Sequence, residues 1–177
     1  MNTSTLFFQA LCLGVGATVI MDIWLLILKI FKIPTLNFSF LGRWVGWIFQ
    51  GKLIHQSIAQ SPQIQGEYLL GWITHYSVGI IFALSFLLII GSDWLIHPQF
   101  YSALLFGVVT VVIPFFYYAT GHGKWFCFVK NTASFMNCLK SLLNHSVFGC
   151  GLYLTAKNIS NLDKEENTHE NCCHYLL

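Results

Sequence analysis

The chain has 177 residues, of which 55% are hydrophobic and only 9% are charged, with a formal net charge of +2. Soluble domains carry about 25% charged residues, so this composition, with its long uncharged runs, excludes an ordinary soluble domain. The few charges lie at the ends of apolar segments rather than on one binding face. We therefore expect a lipid bilayer as the partner of this chain and no nucleic acid.

The first apolar segment, residues 6–31, is long enough to cross a bilayer, which takes about 20 mostly apolar residues. The preceding residues contain no Lys or Arg, so we expect a retained span rather than a cleaved secretory signal. Within the apolar stretch before Lys29, Asp22 is the one ionisable side chain. A carboxylate at that depth is costly, so the sequence predicts that Asp22 has a partner in the protein or in water.

The connection that follows contains a segment, residues 41–59, that polar residues interrupt too often for it to cross a membrane. Leu41, Trp44 and Ile48 share one helical face, which favours a short helix lying in the membrane interface. An ordinary helix packed on the end of the bundle is the alternative.

Three further apolar segments predict spans at residues 68–90, 99–119 and 132–156. In the last of these, Lys140 has to extend toward the headgroups. A polar tail, residues 158–177, follows and is expected to be poorly ordered. The sequence therefore predicts an all-α protein in which four transmembrane helices form a single bundle over residues 1–157.

Lys and Arg are distributed unevenly between the connections. Most lie in or beside the first and third connections, namely Lys29, Lys32, Arg43, Lys52, Lys124, Lys130 and Lys140, and the tail has Lys157 and Lys164. The positive-inside rule places the connections that are rich in positive charge in the cytoplasm. The sequence thus predicts a multi-pass membrane protein with both termini outside the cytoplasm.

Three ionisable residues from three predicted spans fall at a similar depth. Asp22 and His75 each lie about 10 Å from the cytoplasmic ends of their helices, and His145 lies about 8 Å beyond Lys140. Each belongs to a row of small or polar residues spaced four apart, as close helix packing requires. The rows are Gly14, Thr18 and Asp22; Gly71, His75, Gly79 and Ala83; and Ser141, His145 and Gly149. We expect Asp22, His75 and His145 to meet as an intramembrane polar site, where Pro114 would free one backbone carbonyl.

Arg43, His55 and Glu67 are candidate interfacial residues. Glu67 begins the second span, where the helix dipole favours a carboxylate, so helix capping is one interpretation of it. Arg43 is its natural counter-ion if Glu67 faces the first connection. We expect His55 simply to lie at the interface.

The six cysteines include no CxxC pair, which argues against thiol-oxidoreductase chemistry. Cys12, Cys138 and Cys150 lie in or beside apolar spans and are expected to be free, acting as small hydrophobic side chains.

Metal-ligating residue types occur in the tail at His169, Cys172, Cys173 and His174. Adjacent cysteines suit a tetrahedral site poorly, so these residues are weak candidates. The three ionisable residues of the spans could also hold a transition metal, but no closely spaced ligand pair supports it. The motifs GxxxxGK[ST], GxSxG, HExxH and GxGxxG are all missing, so the sequence predicts no metal and no cofactor.

Between Met21 and Leu154 the chain contains, in order, the strings MDIWLLILK, IPTLNFSFLGRWVGW, GEYLLGWITHY, PFF and LLNHSVFGCGLYL. Together they resemble a family of bacterial four-span membrane proteins that is defined only as a domain of unknown function. Asp22, Arg43, His75 and His145 lie within these strings. The resemblance implies a four-helix protein of the bacterial cytoplasmic membrane, so that the predicted orientation places both termini on the periplasmic side, but it implies no activity. The segment 119–128 and the polar tail depart from the pattern.

Three functions remain open. In the first, the protein moves, or is coupled to, a proton or a small solute through Asp22, His75 and His145. A homodimer is then expected, because four spans are few for a complete transporter. In the second, the same residues only hold the helices together in a structural or accessory subunit. In the third, a membrane enzyme uses the interfacial candidates on a lipid or quinone. A water-filled cavity reaching Asp22 would favour the first, a dry network the second, and a groove near Glu67 the third.

Overall fold

The chain folds into helices that end at its Pro, Gly and capping residues. The computed structural model describes the backbone of residues 3–122 and 132–174 and the side chains of residues 4–117, 120 and 136–161. The helices are α1 (Thr3–Ile30), α2 (Phe38–Phe49), α3 (Glu67–Ile90), α4 (Phe100–Val109), α5 (Val112–His122) and α6 (Thr132–His174). Short 3-10 helices lie at Ile58–Gln60 and Ser92–Leu95. No strand occurs in the described backbone, and the all-α prediction is confirmed.

Three helical segments are long and apolar enough to cross a membrane, namely Ser4–Ile30, Glu67–Ile90 and Phe100–Tyr117. They coincide with the first three predicted spans. Large apolar side chains such as Ile23 and Leu105 are exposed on their outer faces, as expected for surfaces that contact lipid. The described part of α6 does not meet the same criterion.

The connection after α1 differs from its predicted outline. Lys32 adopts a left-handed conformation, φ 57°, so α1 ends before Pro34 as predicted. The side chain of Asn37 accepts a hydrogen bond from the Ser39 backbone N–H at 2.9 Å and starts α2 before residue 41. Gly51, at φ 80°, turns the chain just after α2. The single helix predicted over residues 41–59 is therefore wrong in its bounds, because a cap begins it earlier and a glycine turn ends it.

The third predicted span is broken between α4 and α5. Pro114 lacks an N–H, and its ring disfavours an α-helical position for the carbonyl of Thr110. That carbonyl instead accepts a hydrogen bond from the Ile113 N–H at 3.1 Å. The carbonyl that we expected Pro114 to free is thus already bonded.

The last helix, α6, runs past the predicted end of span four and continues to His174. The backbone of the tail that we expected to be poorly ordered is therefore helical as far as it is described. The side chains of His169, Cys172, Cys173 and His174 lie outside the described residues, and so does Cys127.

Two of the three cysteines expected to be free are so, namely Cys12 and Cys150. The expectation for Cys138 is wrong, because this residue is disulfide-bonded. A place beside an apolar segment does not by itself prevent a thiol from pairing.

Neighbouring helices approach closely through small residues. Helix α3 packs on α1 and α2, and α6 packs on α1 and α4. A Cβ added to Gly14 would lie 2.6 Å from the Ile80 Cα, and one added to Gly149 would lie 2.6 Å from the Ala103 carbonyl oxygen. These backbones therefore touch without intervening side chains. The predicted contact role of the rows containing Gly14, Gly79 and Gly149 is confirmed.

One end of the bundle is closed by a dry apolar core. The rings of Phe86 and Trp94 meet edge to face, 4.7 Å between centroids. The fully or nearly fully buried members of this closed end are Ala10, Leu13, Phe86, Leu87, Trp94, Leu95, Leu152 and Ala156. The hydroxyl of Ser160 donates to the Ile96 carbonyl at 3.3 Å, which ties α6 to the link between α3 and α4.

Candidate functional site

Asp22 and His75 are hydrogen-bonded across α1 and α3. The Nε2 atom of His75 lies 2.9 Å from Oδ1 of Asp22, and the predicted partnership is confirmed. The hydroxyl of Tyr76 donates to the other carboxylate oxygen at 2.8 Å. Both oxygens of Asp22 are therefore engaged. Tyr76 was missed because it lies about 100° around the helix from His75; its place beside His75 in the sequence was the available signal.

His145 forms its hydrogen bond with Thr110 rather than with Asp22 or His75. Its Nδ1 atom lies 2.8 Å from the hydroxyl oxygen of Thr110, which itself donates to the Gly107 carbonyl at 2.6 Å. Since a hydroxyl has one proton, the hydrogen-bond network assigns the proton of neutral His145 to Nδ1. The Nε2 lone pair then remains. Asp22 and His75 therefore bond to each other, whereas His145 bonds to Thr110 in the turn before Pro114.

A partly open cavity of about 290 Å³ connects the two imidazoles. His75 and His145 both line it, while Asp22 lies behind His75 and does not. The opposite end of the bundle is the closed apolar core, so this cavity marks a second, open end. A solute in the cavity would therefore contact His75 rather than Asp22.

The α6 wall of the cavity is polar. Asn137, Lys140, Ser141, Asn144 and His145 line it from this helix. The carbonyl oxygen of the Asn144 side chain accepts a hydrogen bond from the indole N–H of Trp24 in α1 at 3.0 Å. That bond leaves the amide NH₂ of Asn144 as the group available to the cavity.

Arg43 and Glu67 form a buried, bidentate ion pair. The Nε and Nη2 atoms of Arg43 each lie 2.7 Å from a Glu67 oxygen. The remaining nitrogen donates to the carbonyls of Ile58, Ala59 and Ser61 at 3.1–3.3 Å. Hydrogen bonding and the charge of Glu67 raise the pKa of Arg43 above its usual range. The expected counter-ion role of Arg43 is confirmed.

His55 belongs to the same cluster. It is 3% exposed, with Nδ1 3.1 Å from the Ser61 hydroxyl and Nε2 3.3 Å from the Lys52 carbonyl. Glu67 also accepts a hydrogen bond from the Ile64 N–H at 3.1 Å. His55 is therefore buried against the 52–61 loop, where both ring nitrogens find partners. We call Arg43, His55, Glu67 and this loop the Arg43 cluster.

Metal-ligating side chains do not assemble within the described residues. No three His, Cys, Asp or Glu side chains among them lie close enough to hold an ion. The weak candidates of the tail lie outside the described side chains.

Comparison with known families gives one match. A family model described as a protein of unknown function, DUF2938, matches residues 11–159. The chain belongs to this family. The DUF2938 match includes the Asp22–His75 pair, the cavity and the Arg43 cluster, and it ends at residue 159, near the start of the tail. The resemblance read from the sequence is thus confirmed as to family. No curated protein and no solved structure matches the chain.

The DUF2938 description carries no activity. The features of this member that bear on its function are therefore the cavity, the Asp22–His75 pair and the helix packing that positions them.

Proposed function

We propose that this DUF2938 protein crosses the cytoplasmic membrane four times, with α6 as the fourth span and α2 lying in the interface. The antiparallel packing supports α6 as a span. Its contacts with α1 run from Asn144, opposite Trp24, to Gly151, opposite Ala17. Helix α6 therefore lies alongside a membrane-length helix and returns through the same layer. Phe38 of α2 stacks on Trp72 at 4.3 Å, near the start of α3, as an interfacial helix would.

The orientation we propose places both termini in the periplasm. The seven Lys and Arg residues of the first and third connections support it. The disulfide of Cys138 favours the opposite orientation, because disulfides are rare in the cytosol. Labelling Cys172 and Cys173 in intact cells with an impermeant thiol reagent decides between the two, in a variant that lacks the other cysteines. Labelling that requires permeabilised cells contradicts our orientation.

The proposed activity is movement of a proton, linked to a small solute, by way of the Asp22–His75 pair. The observation that carries it is that the two imidazoles line one cavity and one of them is bonded to an intramembrane carboxylate. An imidazole can accept and donate a proton, and the cavity is the connection of His75 to solvent. Because the other end is closed by an apolar core, passage requires that end to open, as in a slow carrier.

A structural role for the same residues is the second candidate. It is favoured by the engagement of both Asp22 oxygens and by the position of Asp22 away from the cavity wall. In that case the pair only fixes the register of α1 against α3. The lipid or quinone enzyme is not proposed, because the Arg43 cluster uses its polar groups on its own loop.

Proton movement in proteoliposomes tests the proposal. Vesicles loaded with a pH-sensitive dye receive an external acid step, with the membrane potential clamped by potassium and valinomycin. The wild-type protein is expected to acidify the lumen faster than empty vesicles do, and His75→Gln is expected to remove the increment. His97→Gln is the matched control, since His97 is exposed in the link between α3 and α4. A wild-type rate equal to that of empty vesicles, or an unchanged rate in His75→Gln, overturns the proposal and favours the structural role.

A further inference from the structure

The cavity lining contains basic side chains and no acidic ones. Lys140 lines the cavity together with His75 and His145, and no carboxylate is among the lining residues. Among the described residues, Glu67 is paired with Arg43 and Asp22 is hydrogen-bonded to His75, so neither carboxylate is paired with Lys140. The cavity therefore presents a cation that has no counter-ion there.

The remaining acidic residues lie far from Lys140. Asp163 comes 23 residues later on the continuous helix α6, a separation of about 35 Å along the axis. Asp93 lies in the link that Ser160 contacts, about 30 Å along α6 from Lys140. The residues 123–131 between α5 and α6 contain no Asp or Glu in their sequence. Within the described residues, therefore, no carboxylate lies close enough to neutralise Lys140.

Hydrogen-bond donors lie beside this cation. Asn144 follows Lys140 by one helical turn, so the two share the wall of the cavity. The Trp24 indole fixes the Asn144 carbonyl oxygen, which leaves the NH₂ group to donate. An ammonium and an amide NH₂ on one wall form a site for an anionic group.

Most of the remaining lining is apolar. Leu25, Val78, Phe82, Phe116 and Phe148 belong to it. A volume of about 290 Å³ lies at the small end of ligand pockets, which span about 300–1,000 Å³. The occupant must therefore combine one small anionic head with a short apolar body.

We propose that the cavity binds a small amphiphilic anion, with its anionic head on Lys140 and Asn144 and its apolar body against the Phe82 side. The inference rests on the proposed function, for which it names the class of solute. Two kinds of ligand have an anionic group on an apolar chain, namely a water-soluble acid and an anionic lipid.

Three probes with the same six-carbon chain test the head group: hexanesulfonate, hexanol and hexyltrimethylammonium. Each is titrated into the protein in phosphatidylcholine nanodiscs, and the indole N–H NMR signal of Trp24, assigned with Trp24→Phe, reports binding next to Asn144. Hexanesulfonate is expected to bind saturably and more tightly than the other two. Lys140→Gln is expected to weaken it about tenfold or more, since it removes a charge-assisted contact. Lys140→Arg is expected to restore most of the affinity.

Lys157→Gln is the matched control, because Lys157 is exposed near the other end of α6. Equal binding of hexanol or hexyltrimethylammonium, equal losses in the two Gln variants, or no binding of hexanesulfonate overturns the inference. Adding phosphatidylglycerol to the nanodiscs distinguishes an anionic lipid from a soluble anion as the ligand. Competition with hexanesulfonate in wild type but not in Lys140→Gln identifies a lipid head, and no competition identifies a soluble anion. Anion binding without proton movement would overturn only the proposed function.

Discussion

This molecule contains two interhelical pairs in which a carboxylate is hydrogen-bonded to a basic side chain, and the two pairs differ in their surroundings. Arg43 and Glu67 are 4% and 14% exposed, and the Arg43 cluster adds three loop carbonyls and a backbone N–H. Asp22 and His75 are 19% and 8% exposed, have Tyr76 as one further partner, and adjoin a cavity.

The comparison distinguishes a pair that holds a loop in place from the pair to which we assign proton exchange. In the Arg43 cluster most donors and acceptors have partners within the protein, so little is left for a ligand. At the Asp22–His75 pair, the imidazole forms part of a cavity wall. Satisfied hydrogen bonding therefore indicates structure, and an ionisable group facing a cavity indicates function.

The largest effect is expected from Arg43→Met. This change leaves Glu67 without its counter-ion and three loop carbonyls without their donor. Breaking a buried ion pair on one side destabilises by about 3–5 kcal/mol, and we expect a loss in that range. The measurement is denaturant or thermal unfolding in detergent micelles.

Lys52→Met is the control for Arg43→Met, because Lys52 is exposed in the same loop. We expect it to change stability by less than about 0.5 kcal/mol. The double variant Arg43→Met, Glu67→Met is expected to recover part of the loss, since it leaves no unpaired charge. A small loss in Arg43→Met would mean that the pair is not what holds this loop.

An intermediate effect is expected from the glycines that set the two helix contacts. A Cβ on Gly71 would overlap the backbone carbonyl of Phe38, next to the Arg43 cluster. A Cβ on Gly79 would overlap the Thr18 hydroxyl, near the Asp22–His75 pair. A backbone atom cannot move aside, whereas a Thr side chain has a second rotamer in helices. We expect Gly71→Ala to destabilise by about 1–3 kcal/mol and Gly79→Ala by less.

The same unfolding measurement compares the two glycine variants. The helix preference of Ala over Gly is the same at both sites, so the difference reports packing. Equal losses would show that the α2–α3 contact can relax as easily as the α1–α3 contact.

The parts of this fold that depend on the spacing of small residues and on charge could be predicted from the sequence. Rows of small residues four apart predicted which faces of α1, α3 and α6 meet, and from them the Asp22–His75 bond. The pairing of Arg43 with Glu67 followed from opposite charges that flank one connection. The helices predicted over residues 6–31 and 68–90 match α1 and α3 closely, because the apolar runs there are long and uninterrupted.

The parts that could not be predicted depend on irregular backbone. The carbonyls that bind Arg43 belong to a loop whose path is fixed only after α2 and α3 have packed. The Thr110 partner of His145 depends on the turn that Pro114 causes, which places a side chain from α4 beside α6. The cavity is a space between several helices, and no single helix encodes it.

The smallest effect is expected from the pair that we assign to function. His75→Phe keeps a ring of similar size against Phe38, whose centroid lies 5.0 Å from that of His75. Asp22→Asn keeps the shape of the carboxylate. Interhelical hydrogen bonds in membrane proteins contribute about 1 kcal/mol, so the coupling energy of a double-mutant cycle should be near that value.

The cycle is scored by unfolding in micelles, with Asp22→Asn and His145→Phe as its matched comparison. Because His145 bonds to Thr110, the stability losses of Asp22→Asn and His145→Phe are expected to be additive within about 0.5 kcal/mol. If the losses of Asp22→Asn and His75→Phe were also additive, the hydrogen bond between Asp22 and His75 would contribute nothing to stability. If the coupling energy of Asp22 and His75 were as large as the stability loss of Arg43→Met, the Asp22–His75 pair would have a structural role like that of Arg43 and Glu67. A coupling energy of about 1 kcal/mol, together with loss of proton movement in His75→Gln, would distinguish the Asp22–His75 pair from the Arg43–Glu67 pair in function as well as in surroundings. The stability of the fold would then rest on the Arg43 cluster, and the proton would be carried by a pair that contributes little to that stability.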